Sequence, residues 1–154
     1  EEKPAIESTF REGKKPEMIL TDRTDHYMDY VKVKVAESKK AGYRTAFISK
    51  NYAEAEQFYQ ELTNRGIKSN LVLNDTDNSH HPVIVIPVQL AKGLEFDVVF
   101  ALFHYSDQAS SNNLPAAYTI CSRAMHELYF MAPSLQDTLI KRVEPTDYQL
   151  VELN

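Results

Sequence analysis

Val83-Ile84-Val85-Ile86, then Lys92-Gly93-Leu94-Glu95-Phe96-Asp97, then Val98-Val99-Phe100-Ala101-Leu102-Phe103 is the stretch on which the fold turns. Both outer runs are continuously apolar. They lack the alternation of a strand with one face in water, so they read as strands covered on both faces. That is the pattern of a mainly parallel sheet between helices. The charged, glycine-bearing turn between them reads as a loop at the carboxyl edge of the sheet, where open α/β sheets place their ligands.

The flanking sequence agrees, because strand-like and helix-like segments alternate. Met18-Ile19-Leu20 reads as a short strand. Thr21 or Asp22 can cap a helix that runs to about Ala41 and is ended by Gly42, with Tyr27, Met28, Val31 and Val35 at helical spacing. Residues 44–49 read as a strand, and Asn51 caps a helix to about Arg65, stopped by Gly66. Residues 70–73 read as a short strand and 74–82 as a polar loop. After the strand at 98–103 and a loop rich in Ser and Asn, a helix is expected from Asn112 or Asn113 to about Glu127. Its apolar stripe is Ala117, Cys121, Ala124, Met125 and Leu128. Leu128 to Met131 then forms a core strand. The tail reads as a short helix at 134–142 and a strand at 148–151. Residues 1–17 read as an extended polar arm, and 18–154 as one domain.

Bulk properties narrow the function classes. A chain of 154 residues can bury a sizeable single core. A formal charge of −5 disfavours a free-standing nucleic-acid clamp, though a local basic face stays open. One cysteine, Cys121, cannot form an intrachain disulfide and fits a reducing, cytoplasmic setting. No apolar run reaches the length of a membrane span, so no membrane partner is expected.

Several residues can carry chemistry. On the expected helix, Arg123 lies two positions from Cys121 and so points away from the apolar stripe, free to reach a partner surface. It reads either as an arginine finger on a γ-phosphate or as a solvated surface arginine. Glu95 can accept hydrogen bonds from ribose hydroxyls or stand as a solvated loop carboxylate. Gly93 allows a tight turn or a close ligand approach, and Lys92 can meet a phosphate. No Gly-x-x-x-x-Gly-Lys-Ser/Thr occurs, so the chain has no phosphate loop of its own. His80 and His81 lack a second pair of metal ligands. Asp75 to Ser79 begins like a calcium loop but has His80 at the sixth place and Ile86 at the twelfth. His104, Ser106 and Asp107 cluster without a nucleophile-elbow pattern.

Val88-Gln89-Leu90-Ala91-Lys92-Gly93-Leu94-Glu95-Phe96-Asp97 resembles motif V of the UvrD/Rep group of superfamily 1 helicases, commonly Thr-x-His-x-x-Lys-Gly-Leu-Glu-Phe. Ala117 to Ala124 resembles motif VI, whose core is Tyr-Val-Ala-x-Thr-Arg-Ala. Phe10-Arg11-x-Gly13-x-x-Pro16 is similar to the segment after motif IV in the HelD branch. The resemblance spans about residues 6–132.

It implies a three-layer αβα RecA-like domain of the P-loop NTPase type, without its own Walker A motif: the second of two motor domains of an ATP-dependent DNA helicase or translocase. Glu95 would contact the nucleotide ribose and Arg123 the γ-phosphate. Gly93 and Lys92 would shape the motif V loop, and Lys92 and Gln89 would couple it to nucleic acid. ATP with Mg²⁺ would be the cofactor, the Mg²⁺ ligands lying on an N-terminal RecA-like domain of the same chain. Pro87 and Gln89 replace residues that face DNA in the family, which puts duplex unwinding in question. Gln89 and the opening segment point to the HelD branch and to RNA polymerase as a partner. A non-catalytic interaction domain and a small α/β enzyme using residues 104–107 are the competing classes.

Overall fold

The computed structural model describes residues 15–21, 23–74, 80–102, 120, 122–132 and 149–153. The strands are β1 (Glu17–Leu20), β2 (Thr45–Ser49), β3 (Asn70–Leu71), β4 (Val83–Pro87), β5 (Phe96–Leu102), β6 (Ala124–Ala132) and β7 (Gln149–Glu152). The α-helices are α1 (Thr24–Lys40) and α2 (Tyr52–Asn64), and a 3-10 turn covers Val88–Leu90. Among the described residues the strands form one seven-stranded sheet in the order β3-β4-β2-β5-β6-β1-β7. Every pairing in it is parallel.

The apolar runs dictate this arrangement. Residues 83–86 are all fully buried, and so are 98–101, because each strand sends alternate side chains into two different cores. On one face Phe47, Val83, Val85, Val98, Phe100 and Tyr129 pack beneath α1 and α2, which contribute Tyr27, Met28, Val31, Val35, Ala55 and Leu62. A row of rings crosses the strands here. Phe58 to Phe47 is 4.9 Å between centroids, Phe47 to Phe100 is 4.6 Å, and Phe100 to Tyr129 is 4.7 Å. On the opposite face Ile48, Ile84, Ile86, Val99, Ala101, Leu128 and Phe130 lie under Val88, Ala91 and Ile120, with Leu90 and Leu94 packed against them. Both faces are therefore covered, as the three-layer reading requires.

The helix ends follow their sequence signals. The Asn51 side chain accepts the Glu54 N–H at 2.8 Å and caps α2. Both helices end in a paired-bond glycine motif: Tyr43 N–H to Ser38 O and Gly42 N–H to Lys39 O, then Ile67 N–H to Leu62 O and Gly66 N–H to Thr63 O. The start of α1 differs from expectation. Arg23 is its N-cap and makes no side-chain cap bond. Thr21 instead accepts the Arg23 N–H in a local turn. Asp22 lies outside the described residues.

The larger correction concerns residues 120–127. The expected helix does not reach Glu127. Strand β6 already begins at Ala124, and Arg123 sits in the turn before it. The residues Ala-Met-His-Glu-Leu favour a helix in isolation, but pairing with β5 along its length outweighs that preference. Strand β5 correspondingly starts at Phe96, two residues earlier than expected, with Phe96 opposite Ala124. A register shift between Phe96 and Val98 marks a bulge in β6. Ala124 and Leu128 both enter the same core because positions i and i+4 share a face in a strand as they do in a helix. The strands expected at 70–73 and 148–151 are observed at Asn70–Leu71 and Gln149–Glu152. The arm at 1–14, Phe103, the segment 104–119, Cys121 and the tail helix at 134–142 lie outside the described residues.

Candidate functional site

Strand β4 ends at Pro87, in register with Ser49 at the end of β2. The 3-10 turn follows directly. Its Gln89 Nε2 donates to Lys50 O at 3.0 Å, which joins the ends of β2 and β4 at the carboxyl edge of the sheet. Ala91 is buried, and the Leu94 N–H donates back to Ala91 O at 3.1 Å, closing a turn through Lys92 and Gly93. Gly93 has φ +77° with no atom of the described residues within 4 Å of where a Cβ would stand. The turn's left-handed backbone, not crowding, is what requires glycine there.

The loop then enters β5 at Phe96. Val98 is in register with Thr45, the first residue of β2, so Phe96 lies beyond the amino edge of that strand. The sequence places the whole 87–97 loop at the carboxyl edge. In the structure it starts there and finishes at the opposite edge, because β4 and β5 are parallel and the connection must cross back over the sheet. Gln89 is consequently at one edge and Glu95 at the other.

Arg123 comes to the same edge as Glu95. The Phe96 N–H donates to Arg123 O at 2.8 Å, the Arg123 N–H donates to Ile120 O at 3.1 Å, and Arg123 Nη1 reaches Leu94 O at 3.4 Å. The Arg123 side chain is half-buried, and its Nε is buried with no hydrogen-bond partner among the described residues. Glu95, Lys92 and Gly93 are exposed. A guanidinium with an unspent donor and an open carboxylate thus border one edge, joined through the 94–96 backbone. Such a pair can receive a ligand that carries both anionic oxygens and hydroxyls. The orphaned Nε and the open turn fit a nucleotide phosphate and sugar.

The groups that hold this edge carry no motif in the sequence. Asp97 Oδ2 accepts the Arg44 backbone N–H at 2.8 Å, and its Oδ1 lies 3.6 Å from His126 Nε2. The His126 ring stacks on Tyr43 at 5.0 Å, and the Arg44 guanidinium lies 5.0 Å from the centre of the Phe96 ring. A charged residue heading an otherwise apolar strand was the one available signal for Asp97. The bulge that brings His126 beside it has no sequence signature.

The lesser candidates contribute no cluster. His81 Nδ1 contacts the backbone of Val83. Among the described residues no group of three or more His, Cys, Asp or Glu could hold a metal ion. The calcium-like segment 75–79 and the residues His104, Ser106 and Asp107 lie outside the described residues. Among those described, no helix is long and apolar enough to cross a membrane.

No protein-family model and no curated protein matches the chain. Solved structures do. The chain is similar to the C-terminal domain of a possible DNA helicase from Lactobacillus plantarum WCFS1. The two are 34% identical, with a TM-score of 0.79, and the match covers 96% of this chain and 92% of the other. It also resembles S. cerevisiae Dbp5 in a form bound to RNA and ADP BeF3, at 9% identity and TM-score 0.61, over 92% of this chain and 42% of that one. The C-terminal domain of the DEAD-box protein Dbp5 matches at 13% identity and TM-score 0.57, over 91% of this chain and 90% of that domain. The two Dbp5 likenesses speak for the fold alone. The fold is that of a RecA-like helicase domain. The chain belongs to the family of the Lactobacillus domain, the helicase C-terminal domains.

Proposed function

We propose that residues 18–154 form the second motor domain of an ATP-dependent superfamily 1 helicase or translocase of the UvrD/Rep type. In this reading the nucleotide binds between this domain and an N-terminal RecA-like domain of the same protein. That partner domain supplies the phosphate loop and the Mg²⁺ ligands. The observation that carries the reading is the convergence of Arg123 with the Leu94–Glu95 turn at one sheet edge. It comes on top of the likeness to a possible DNA helicase.

Each residue then has a distinct task. Glu95 accepts hydrogen bonds from the ribose hydroxyls. Arg123 places positive charge against the γ-phosphoryl group, where negative charge is redistributed during transfer. Its side chain is partly shielded, so that charge is screened less than it would be in open water. The turn at Lys92 and Gly93 fixes the distance between Ala91, anchored in the core, and Glu95. Gln89, tied to Lys50 at the far edge, lies where a nucleic acid would pass. The loop from Pro87 to Phe96 therefore runs as one continuous connection from track to nucleotide. Closure of the cleft on ATP at one end can then be felt at the other.

The HelD branch, with RNA polymerase as partner, rests on Gln89 and the opening segment of the sequence. Gln89 spends its amide N–H on Lys50 O. In this branch it stiffens the loop in place of a direct DNA contact, and the motor moves its partner without unwinding long duplexes. The reading is tested by comparing ATP turnover of the isolated domain with that of the full-length protein. A shared site requires turnover in the full-length protein and none in the domain. Hydrolysis by the isolated domain would contradict it.

A further inference from the structure

We propose that Asp97 is a positioning residue for Arg123, a role that rests on Arg123 acting at the nucleotide as described above. Asp97 is the second residue of β5, the strand between β2 and β6, and it touches both neighbours. Its Oδ2 takes the Arg44 N–H at 2.8 Å, just before β2. The Val98 N–H donates to Arg44 O at 3.0 Å, so both backbone polar groups of Arg44 are tied to β5. On the other side Oδ1 faces His126 Nε2 at 3.6 Å. His126 belongs to the bulge that begins two residues after Arg123. A bulge leaves ladder groups unpaired and would otherwise let the strand start wander. The carboxylate stands at the register break and fixes it from β5.

Arg123 depends on that fixation. Its carbonyl is held by the N–H of Phe96, the residue before Asp97, and its Nη1 reaches Leu94 O on the same turn. The Arg44 guanidinium over the Phe96 ring packs the other side of this residue. Three strand starts are thereby locked in one arrangement around the base of the Arg123 side chain. The Asp97 side chain is only 26% exposed, so its charge-assisted bond to the Arg44 N–H is partly sheltered from water. Releasing the carboxylate leaves the strands paired but frees the bulge. The guanidinium then loses its aim while the nucleotide still binds.

The test uses the full-length protein with Asp97→Ala, Asp97→Asn, Arg123→Ala and the double variant D97A/R123A, reading kcat and KM for ATP and the thermal midpoint. Misplacing a reacting group by about 1 Å can cost about a hundredfold in rate. D97A is expected to lower kcat about tenfold or more, with KM held within about threefold. D97N keeps an acceptor for the Arg44 N–H and should recover part of the loss at an unchanged thermal midpoint. In the R123A background D97A should cost nothing further, because both changes remove one function. Wild-type kcat in D97A, or an undiminished D97A effect without Arg123, overturns the proposal. If D97A fails to fold, D97N decides, and wild-type kcat in D97N then overturns it. A wild-type rate in R123A removes instead the reading on which the proposal stands, whatever D97A does.

Discussion

The carbonyl of Arg123 accepts the backbone N–H of Phe96 at 2.8 Å, joining the residue before β6 to the first residue of β5. Because that bond is between main chains, the position of residue 123 does not depend on its own side chain. The half-buried guanidinium sends Nη1 to Leu94 O at 3.4 Å. The main-chain bond brings the backbone of residue 123 to the turn that carries Glu95, one residue from Phe96.

Gly93 offers the first test. Its φ of +77° is costly for a residue with a Cβ, though nothing among the described residues would clash. Gly93→Ala should therefore destabilise the domain by about 1–2 kcal/mol through backbone strain alone. For a domain of this size that lowers the thermal midpoint by about 2–8 °C. Calorimetry would show it, and an unchanged midpoint would mean that the turn relaxes into another form.

The ring row predicts where the fold is most sensitive. Phe100 is fully buried between Phe47 and Tyr129, with ring centroids 4.6 Å and 4.7 Å away. Phe100→Ala should cost about 3–5 kcal/mol, the lost transfer energy plus the cavity left behind. Urea unfolding should show the midpoint falling with little change in slope.

Three tyrosines make stability fall in alkali. Burial holds the Tyr27 hydroxyl well above the ordinary tyrosine range. Burial, then a bond donated to Glu17 and the Glu17 charge, does the same for Tyr30. Burial, then the 2.6 Å bond donated to Glu127 and the Glu127 charge, does so for Tyr129. These are acids whose protonated form the native state favours. Their contribution is fully present below the unfolded value of about 10 and is lost as pH rises toward the raised native values. Absorbance titration at high pH should show late-ionising tyrosines, with the urea midpoint declining from about pH 10 upward. Tyrosines that all ionise at the ordinary value, with a flat midpoint, would contradict this.

Gln89 offers a test of the proposed coupling role. Its bond to Lys50 O ties the loop to the carboxyl edge, far from Arg123 and Glu95. Gln89→Ala in the full-length protein should leave basal ATP turnover near wild type and reduce its stimulation by single-stranded DNA severalfold. Equal loss of both would place Gln89 in the hydrolytic machinery.

The buried runs at 83–86 and 98–103, the glycine stops and the Asn51 cap were legible because each is a local rule with one physical outcome. The site was legible in part. Lys92-Gly93-Leu94-Glu95 stands out as a charged turn between apolar strands, and the structure does put a glycine turn there. Two things could not be read. Residues 124–128 satisfy a helical stripe and a bulged strand equally well, and only pairing with β5 decides between them. The crossing of the 87–96 loop from one edge to the other follows from parallel pairing, so Gln89 and Glu95 look adjacent in sequence while serving opposite ends of the sheet. Asp97 was hidden for a related reason, since its partners Arg44 and His126 meet it only across three strands.

Arg123→Ala in the full-length protein, measured as ATP turnover beside the circular dichroism spectrum and thermal midpoint, decides whether this arginine acts at the nucleotide. An arginine that stabilises phosphoryl transfer is worth about 10³–10⁵ in rate. Turnover should therefore fall by orders of magnitude while fold and midpoint stay at wild-type values, the Phe96 bond to the residue 123 carbonyl being unaffected. Wild-type turnover in this variant would contradict the assignment of Arg123 to the nucleotide site.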